Sequence, residues 1–452
     1  MTETTKPGWA YRALKSYTRF LAKHVYYRTY RIEGKENVPA PGVPTILASN
    51  HQNGAMDILS YIYAFDDRKP YVITREDAVN LWPSLFMGLG MLPTVRSEFG
   101  SSDDLGKNDG MMDATNEALK RGETVIIMPE GENDQGHMLM DFSSGYTKMA
   151  FEAAASMNFE QDVVILPAAH HYSGYYGIRV DAVFKFLEPV SLKPYYELYK
   201  VKPRTAQREV NAIVRERIES AMLRILDEEN YESIDFIRTT YGLKYASAKN
   251  RDTSDISVMR DSDKEFCSRL EEQPEDFRKD LYAETESYME ELKAHGLDDN
   301  AVAEGSRPLR TLAKVVVMAL LFPLWVVSLW PGAVGVIPSE MFPKKMPIGD
   351  TGKSNLLMWS TFLFVTDALF FIPIGLAVTI PFLWGAVGAW AVLGWLMFLV
   401  PLMRFSDLWW KWAKIVRSEA NATIKGKIIA RLRKRREAIY MKLNGLYGLE
   451  IQ

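Results

Sequence analysis

Residues 46–57 read ILASNHQNGAMD, and the fold is most readily inferred from this stretch. An apolar run typical of a buried strand is followed by a predicted turn that contains His51 and then Asp57. Imidazole titrates near neutral pH, and a carboxylate that holds one ring nitrogen fixes the tautomer and stabilises the protonated ring. The stretch therefore predicts a general base with its orienting partner, although a capped or hydrogen-bonded histidine at a strand end has the same pattern.

A second stretch of similar form is residues 124–131, which read TVIIMPEG. It is another buried-looking strand that ends in turn-forming residues, and a polar loop follows it. Two strands that both end in polar turns place their loops at one edge of a sheet, where open α/β folds hold their sites. We therefore predict an α/β domain, a mixed sheet flanked by helices, with both turns at one edge.

With two further segments, these residues resemble the four sequence blocks of the glycerolipid acyltransferase family, the PlsC-like or LPLAT/AGPAT enzymes that acylate glycerol phosphates and lysophospholipids. The matching residues are Asn50-His51 with Asp57 for block one, LPTVR at 92–96 for block two, MPEG at 128–131 for block three and VILPA at 164–168 for block four. The blocks come in the family order, and the resemblance covers residues 34–194.

The resemblance implies a role for each matched residue. His51, oriented by Asp57, deprotonates an acceptor hydroxyl, which attacks the thioester carbonyl of an acyl donor without a covalent enzyme intermediate. The predicted substrate-binding residues are Asn50, Arg96, Glu130 and Gly131. Arg96 is the phosphate ligand, because a guanidinium fork matches phosphate oxygens, Glu130 binds a glycerol hydroxyl, and Gly131 lets the backbone approach the substrate. Considered by itself, Arg96 could equally be a surface residue, and Glu130 could equally be a helix or turn cap.

Two positions depart from the commonest family pattern. Five residues rather than four separate His51 from Asp57. Neither spacing aligns the two side chains on a regular helix, so the pair must meet across a turn that can absorb an extra residue. Glu132 and Asn133 follow Gly131, where many members have Thr-Arg. The second departure removes an expected phosphate-binding arginine and leaves open an acceptor without phosphate, such as a lyso-aminolipid.

Composition leaves room for a catalytic domain and further segments. The chain has 452 residues, 47% of them hydrophobic, and a formal net charge of −3, which indicates nothing about nucleic acid. The single cysteine, Cys267, excludes an internal disulfide framework. We expect no metal and no cofactor, with acyl-CoA or acyl-carrier protein as co-substrate. A metal-dependent hydrolase that adds His170 and His171 to the site is disfavoured, because neighbours on a strand point to opposite faces.

Residues 1–33 are predicted to form an N-terminal amphipathic interfacial helix. The apolar residues Leu14, Tyr17, Leu21 and Val25 recur at helical spacing, and basic residues lie between them. This pattern fits a helix that lies on anionic lipid. A helix packed on its own domain has the same pattern, and the two alternatives are compatible.

The rest of the chain divides by charge and hydropathy. The acyltransferase domain is predicted at residues 34–245 and a charged helical linker at 246–308, in which residues 251–263 are polar enough for a loop. A C-terminal α-helical membrane region is predicted at residues 309–405, and a basic cytoplasmic tail at 406–452.

Two apolar stretches lie within the predicted membrane region. Residues 355–405 are long enough for a helical hairpin that turns near residues 384–386, since one crossing needs about 20 residues. Residues 311–334 are interrupted by Pro323 and Pro331 and are interpreted as re-entrant or interfacial. An even number of crossings keeps the basic tail and the catalytic domain cytoplasmic, where acyl thioesters are made. Three crossings would place the tail outside.

The sequence therefore predicts a membrane-bound O-acyltransferase for glycerol 3-phosphate or 1-acylglycerol 3-phosphate in phospholipid biosynthesis. Its partners are membrane lipids, an acyl thioester donor and a glycerol phosphate or lysophospholipid acceptor, with no nucleic acid. Two alternatives stay open: acyl transfer to a phosphate-free lysolipid, and a non-catalytic membrane scaffold. The scaffold alternative predicts that replacing His51 leaves function intact.

Overall fold

The computed structural model of this chain describes residues 7–80, 83–94, 107–131, 136–174, 179–341 and 372–449. The described residues fall into two compact units, of which the first ends at Met222 and the second begins at Leu223. The predicted acyltransferase domain extends to residue 245. The helix Tyr231–Ala248, which begins inside that predicted domain, instead contributes buried residues to the core of the second unit.

The first unit is built on a mixed sheet, as predicted. Its described strands are β1 (Tyr27–Glu33), β2 (Thr45–Ser49), β3 (Tyr71–Arg75), β4 (Met91–Thr94), β5 (Thr124–Ile127), β6 (Val164–Tyr172), β7 (Val180–Phe186) and β8 (Val190–Ser191). They lie in the order β1-β7-β6-β2-β5-β3-β4, with β8 also beside β6. Strand β6 runs antiparallel to β7 and β8, whereas the other pairings are parallel. This arrangement confirms the predicted α/β class.

Helices cover both faces of the sheet. Those described in the first unit are α1 (Trp9–Leu21), α2 (Ala55–Ala64), α3 (Glu76–Val79), α4 (Pro83–Gly88), α5 (Lys107–Lys120), α6 (Gly145–Ser156), α7 (Tyr196–Val201) and α8 (Pro203–Ala221), with short π- or 3₁₀-helical turns at Ala22–Tyr26, Lys35–Asn37 and Lys193–Tyr195. Because side chains alternate along a strand, β2 contacts both layers. Ile46 packs into the core that includes α6 and α8, whereas the Ser49 hydroxyl lies 2.7 Å from Tyr61 Oη of α2.

The central strands bring their carboxyl ends to one edge of the sheet. Strands β5 and β6 flank β2 in parallel, and Thr45 pairs with Thr124 on one side and with Val164 on the other. Strand β6 is nine residues long and β2 five. Since Ser49 pairs with Ala168, β6 extends beyond the end of β2 as far as Tyr172. The turns after β2 and β5 and the last residues of β6 therefore share the predicted edge.

Helix α1 packs on the first unit through its apolar stripe. Leu21 is buried, Arg19 donates to Asp66 at 2.6 Å, and the Lys15 ammonium donates to the Phe65 carbonyl just beyond α2. Trp9 and Phe20, which lie outside the predicted stripe, are 78% and 49% exposed. The predicted helix at residues 1–33 is thus shorter, because Tyr27–Glu33 form β1. Leu21 of the predicted stripe packs on its own domain, and the interfacial alternative stays a prediction.

The second unit is helical throughout the part that the structure describes. Its helices are α9 (Tyr231–Ala248), α10 (Ile256–Glu271), α11 (Glu275–His295), α12 (Asp299–Glu304), α13 (Pro308–Met341), α14 (Ile372–Val387), α15 (Ala389–Ile424) and α16 (Gly426–Tyr447). Residues of α9, α10, α11 and α16 form one hydrophobic core. That core contains Cys267, whose thiol pKa is raised by burial. The predicted linker and much of the predicted tail are thus parts of one packed unit.

Four of the seven basic residues of α16 are paired with acidic residues of α11 and α12. The pairs are Arg431–Glu291, Arg435–Glu291, Arg436–Asp299, Lys442–Asp280 and Lys442–Glu284, with nitrogen–oxygen distances of 2.6 to 2.9 Å. Leu432 and Leu443 of the same helix are buried in the core. Part of the positive charge that predicts a cytoplasmic tail is therefore balanced within the second unit.

Two helices of the second unit are long and apolar enough to cross a membrane by length and composition. Helix α13 meets this condition over Pro308–Leu329 and α15 over Ala389–Ile424, and only 11% and 17% of their apolar windows are buried. Lys314 pairs with Glu419, and the rings of Trp325 and Trp409 stack with centroids 4.2 Å apart. Because the later residue of α13 contacts the earlier residue of α15, the two helices pack antiparallel.

This pairing differs from the predicted topology. Residues 311–334, interpreted above as re-entrant or interfacial, lie in one continuous helix, α13, although proline removes a backbone hydrogen bond at Pro323 and Pro331. Residues 355–371 of the predicted hairpin lie outside the described residues. From Ile372 onward the helix breaks at Gly388, where φ is +88°, close to the predicted turn at residues 384–386.

Candidate active site

A tight turn carries the chain from His51 at the end of β2 to Asp57 in α2. Gly54 precedes α2 with φ of 54° and ψ of −136°, a conformation that strains residues other than glycine. The Met56 amide donates to the Asn53 carbonyl at 3.1 Å and closes the turn. Asp57 therefore lies in the first turn of α2, and the fifth residue between the histidine and the aspartate is absorbed here.

The Asp57 carboxylate is the centre of the site. Its Oδ2 accepts hydrogen bonds from His51 Nδ1 at 2.9 Å and from the backbone amides of Gln52 and Asn53, both at 2.8 Å. The Asp57 side chain is fully buried, and that of His51 is 15% exposed. A carboxylate only accepts, so the proton lies on Nδ1 and the Nε2 lone pair is free to take a proton. The structure thus brings together the residues predicted as base and orienting partner.

Asp57 is charged in spite of its burial. Burial acts to raise the pKa of this carboxyl, but nearby His170 and the hydrogen bonds from His51 and Tyr172 outweigh it and hold the pKa of Asp57 below its ordinary value. The charged carboxylate fixes the His51 tautomer. It also stabilises the imidazolium that forms when His51 accepts a proton.

Two residues at the end of β6 approach the other oxygen of Asp57. The Tyr172 hydroxyl donates to Oδ1 at 2.5 Å, and His170 Nε2 lies 3.2 Å from the same atom without hydrogen-bond geometry. Both side chains are buried. Burial lowers the pKa of His170 to about 4 against the attraction of Asp57. The His170 ring is therefore neutral at neutral pH.

The free energy of unfolding of the first unit is expected to fall as the pH drops from 6.5 towards about 4. In this range an unfolded histidine binds a proton that buried His170 excludes, so the unfolded state gains protons first. The contribution of His170 amounts to about 3 kcal/mol over the window. Urea unfolding at several pH values, for wild type and for His170→Gln, isolates it. Equal pH dependence in the two proteins would show that His170 does not exclude a proton.

Glu130 ties the His51 turn to a neighbouring loop. Its Oε1 accepts from the His51 amide at 2.7 Å, and its Oε2 accepts from the Met140 amide at 2.8 Å. The residue is 8% exposed. Binding of a glycerol hydroxyl by Glu130 stays a prediction, and the geometry adds a second role, which is to hold the His51 backbone in place.

Glu130→Gln is expected to lower kcat about 10- to 100-fold, because small displacements of a catalytic group are costly. The amide group of glutamine presents a donor to one of the two backbone amides, which costs about 1–3 kcal/mol of stability. Steady-state kinetics and thermal unfolding measure the two effects. Glu188→Gln is the control, since Glu188 pairs with Arg217 on the exposed surface. A rise in KM for the acceptor with unchanged kcat would instead assign Glu130 to substrate binding.

The other predicted site residues have distinct surroundings. Asn50 is fully buried, and its side chain accepts from the His170 amide at 3.0 Å and donates to the His170 carbonyl at 3.3 Å. It thereby joins the end of β2 to β6, and its role in substrate binding stays a prediction. Gly131 has φ of +71°, and no atom of the described residues lies within 4 Å of an added Cβ. Arg96, Glu132 and Asn133 lie outside the described residues.

Tyr172 is a site residue that the sequence blocks do not reveal, since block four ends at Ala168. Strand alternation is the signal that points to it, because residues 168, 170 and 172 share one face of β6. His171 faces the opposite side, where its ring stacks on His137 with centroids 5.3 Å apart. Within the described ranges, no group of three or more His, Cys, Asp or Glu residues is placed to hold a metal ion.

Residues 29–171 match the family model described as Acyltransferase. The comparison with curated proteins finds no match. One similar solved structure is the crystal structure of the 1-acyl-sn-glycerophosphate (LPA) acyltransferase, PlsC, from Thermotoga maritima, at 20% sequence identity over 44% of this chain and 78% of that chain, with a TM-score of 0.31. That likeness is too low to support an argument about function.

Proposed function

Residues 29–171 belong to the acyltransferase family, as the four sequence blocks predict, and from that premise we propose that the protein is a membrane-bound O-acyltransferase. It transfers a fatty acyl group from an acyl thioester to the hydroxyl of glycerol 3-phosphate or 1-acylglycerol 3-phosphate. The observation that carries the proposal is the 2.9 Å hydrogen bond from His51 Nδ1 to the buried Asp57 carboxylate. It leaves a proton acceptor, Nε2, on a partly exposed ring.

His51 acts as the general base of a direct transfer. Its Nε2 takes the proton of the acceptor hydroxyl as the hydroxyl oxygen attacks the thioester carbonyl, and Asp57 stabilises the resulting imidazolium. The new C–O ester bond remains when the tetrahedral intermediate collapses. The C–S bond breaks at that point, and the thiolate leaves with the proton that His51 held. The reaction needs no covalent enzyme intermediate, cofactor or metal.

The acceptor is identified by offering acyl-CoA with glycerol 3-phosphate, 1-acylglycerol 3-phosphate or a phosphate-free lysolipid. Arg96→Ala is expected to raise KM for the phosphate acceptors about tenfold or more, the cost of losing a bidentate charged contact. Arg204→Ala, on an exposed position of α8, is the control. Turnover of the phosphate-free acceptor alone would favour the lyso-aminolipid alternative, to which the Glu132-Asn133 departure points.

The proposed membrane attachment rests on the antiparallel pair α13 and α15. The apolar helical segment Pro308–Leu329 has 22 residues, which is about 33 Å of helix against a hydrocarbon layer of about 30 Å. The mostly exposed apolar surface of both helices is unfavourable in water and suits lipid. In this arrangement the chain crosses the membrane outward in α13 and returns in α15. The start of α13 and the end of α15 therefore lie on the cytoplasmic side. On α1, exposed Trp9 and Phe20 lie among basic residues and contact the lipid interface.

Washing membranes with alkaline carbonate is expected to leave the chain in the pellet, because two crossing helices hold it by burial of apolar surface rather than by charge. In the same topology, the start of α13 and the end of α15 lie on the cytoplasmic side of the membrane. Gly388 then lies on the opposite side. The variant Gly385→Cys should react with an impermeant maleimide from the outside of intact cells, and Lys427→Cys should not. Release by carbonate, or labelling of the Lys427 position, would contradict this topology.

A further inference from the structure

The two oxygens of Asp57 have different partners. Oδ2 accepts from His51 Nδ1 and from two backbone amides, whereas Oδ1 accepts from the Tyr172 hydroxyl at 2.5 Å. Rotation about the terminal torsion of an aspartate is soft, and its two oxygens are chemically equivalent. A carboxylate held only through Oδ2 would retain that freedom. A donor on Oδ1 removes it.

Tyr172 is built into the core as a fixed donor. It ends β6 and is 0% exposed. Its ring lies 5.8 Å from that of Phe184 and 6.3 Å from that of Tyr27, centroid to centroid. Burial raises the pKa of the Tyr172 hydroxyl well above its ordinary value, so this group keeps its proton near neutral pH and donates it to Asp57. Such packing allows the hydroxyl little freedom to leave Asp57.

We propose that Tyr172 is a positioning residue for the acyl transfer, which anchors Oδ1 of Asp57 so that Oδ2 stays aligned with His51 Nδ1. This inference rests on the proposed function of His51 as the base. Tyr172 does not contact the reacting atoms in this proposal, and it acts through Asp57. It assigns a role to the end of β6, which lies beyond the fourth sequence block.

Four other titratable groups interact electrostatically with Asp57. They are His51 from the turn after β2, His170 from β6, Tyr27 from β1 and Tyr61 from α2 itself. The two tyrosines and His170 are neutral near pH 7. His51 is thus the partner whose charge responds when the carboxylate loses a donor. Without Tyr172, more negative charge remains on Oδ2, which favours the protonated form of His51.

The test compares Tyr172→Phe with the control Tyr146→Phe. Tyr146 is also fully buried in the first unit, and its hydroxyl donates to Asn211 at 2.7 Å, a bond that does not involve Asp57. Tyr172→Phe is expected to lower kcat about 10- to 100-fold, with KM for both substrates unchanged. The acidic limb of its kcat profile moves to higher pH. Tyr146→Phe leaves both in place.

A second readout does not depend on activity. Diethyl pyrocarbonate modifies neutral imidazole, so the pH at which His51 becomes half-reactive, followed by peptide mass spectrometry, reports its coupling to Asp57. We expect this pH to rise in Tyr172→Phe and to stay unchanged in Tyr146→Phe. An unchanged midpoint in Tyr172→Phe, or an equal shift in both variants, overturns the positioning role. A shift confined to Tyr172→Phe in a protein that transfers no acyl group would uphold the positioning role and refute the proposed function.

Discussion

His51→Ala is expected to lower the rate of acyl transfer by about 10²- to 10⁴-fold, the range that a positioned general base contributes. The substitution removes the nitrogen that accepts the hydroxyl proton, and it removes the imidazole donor at 2.9 Å from Oδ2 of Asp57. Thiol release from an acyl thioester, measured with saturating acceptor, gives the rate. Because binding of both substrates persists in this account, kcat falls and KM changes little.

The control for this variant is His295→Ala, which removes a histidine at the end of α11 in the second unit. Thermal unfolding of both variants shows whether the fold survives. Wild-type activity in well-folded His51→Ala would mean that another group takes the proton. Wild-type function with no acyl transfer in either protein is the result that the scaffold alternative predicts.

Asp57→Asn is expected to lower kcat to a similar extent, about 10²- to 10⁴-fold. An asparagine presents either an oxygen without charge or an amide donor to His51 Nδ1, and the donor favours the wrong tautomer. Tyr172 and two backbone amides also lose the charge that they solvate. We therefore expect a further loss of about 1–3 kcal/mol in the free energy of unfolding. Steady-state kinetics and urea unfolding measure these two quantities.

Asp181→Asn is the matched control for that substitution. Asp181 lies on β7 in the same unit, and its side chain pairs with the partly exposed Arg28, a contact that involves neither Asp57 nor His51. Its replacement should leave kcat unchanged. Full activity of Asp57→Asn would mean that His51 needs no carboxylate to set its tautomer, and the mechanism proposed above would be wrong.

The site edge of the sheet could be predicted because its signals are local. Apolar runs that end in ASNH and MPEG show where β2 and β5 stop, and adjacent parallel strands necessarily bring such ends together. Tyr172 reaches Asp57 only because β6 extends beyond β2. That overhang depends on pairing between distant segments, which a single sequence does not contain. The role of Glu130 is equally hard to predict. Its residue type fits a substrate ligand, whereas its carboxylate accepts hydrogen bonds from the backbone amides of His51 and Met140.

The second unit shows how a polar segment can be packed. Residues 251–263 are predicted to form a loop, but α10 begins at Ile256, where the Asp255 side chain accepts from the amides of Ser257 and Val258. Serine and aspartate favour caps as well as loops, and the buried Phe266 and Cys267 hold the rest of the helix in the core. Likewise, the basic character of α16 is local, but its acidic partners lie on α11 and α12, far away along the chain.

The most direct test of the whole account is product analysis with the purified wild-type chain. Acyl-CoA and 1-acylglycerol 3-phosphate are incubated with wild type and with His51→Ala, and ester product and free thiol are quantified by mass spectrometry. The account predicts equal amounts of both in wild type, neither without acceptor, and almost none with the variant. Thiol release without ester product, or ester formation that persists in His51→Ala, would contradict base-catalysed transfer to the acceptor hydroxyl.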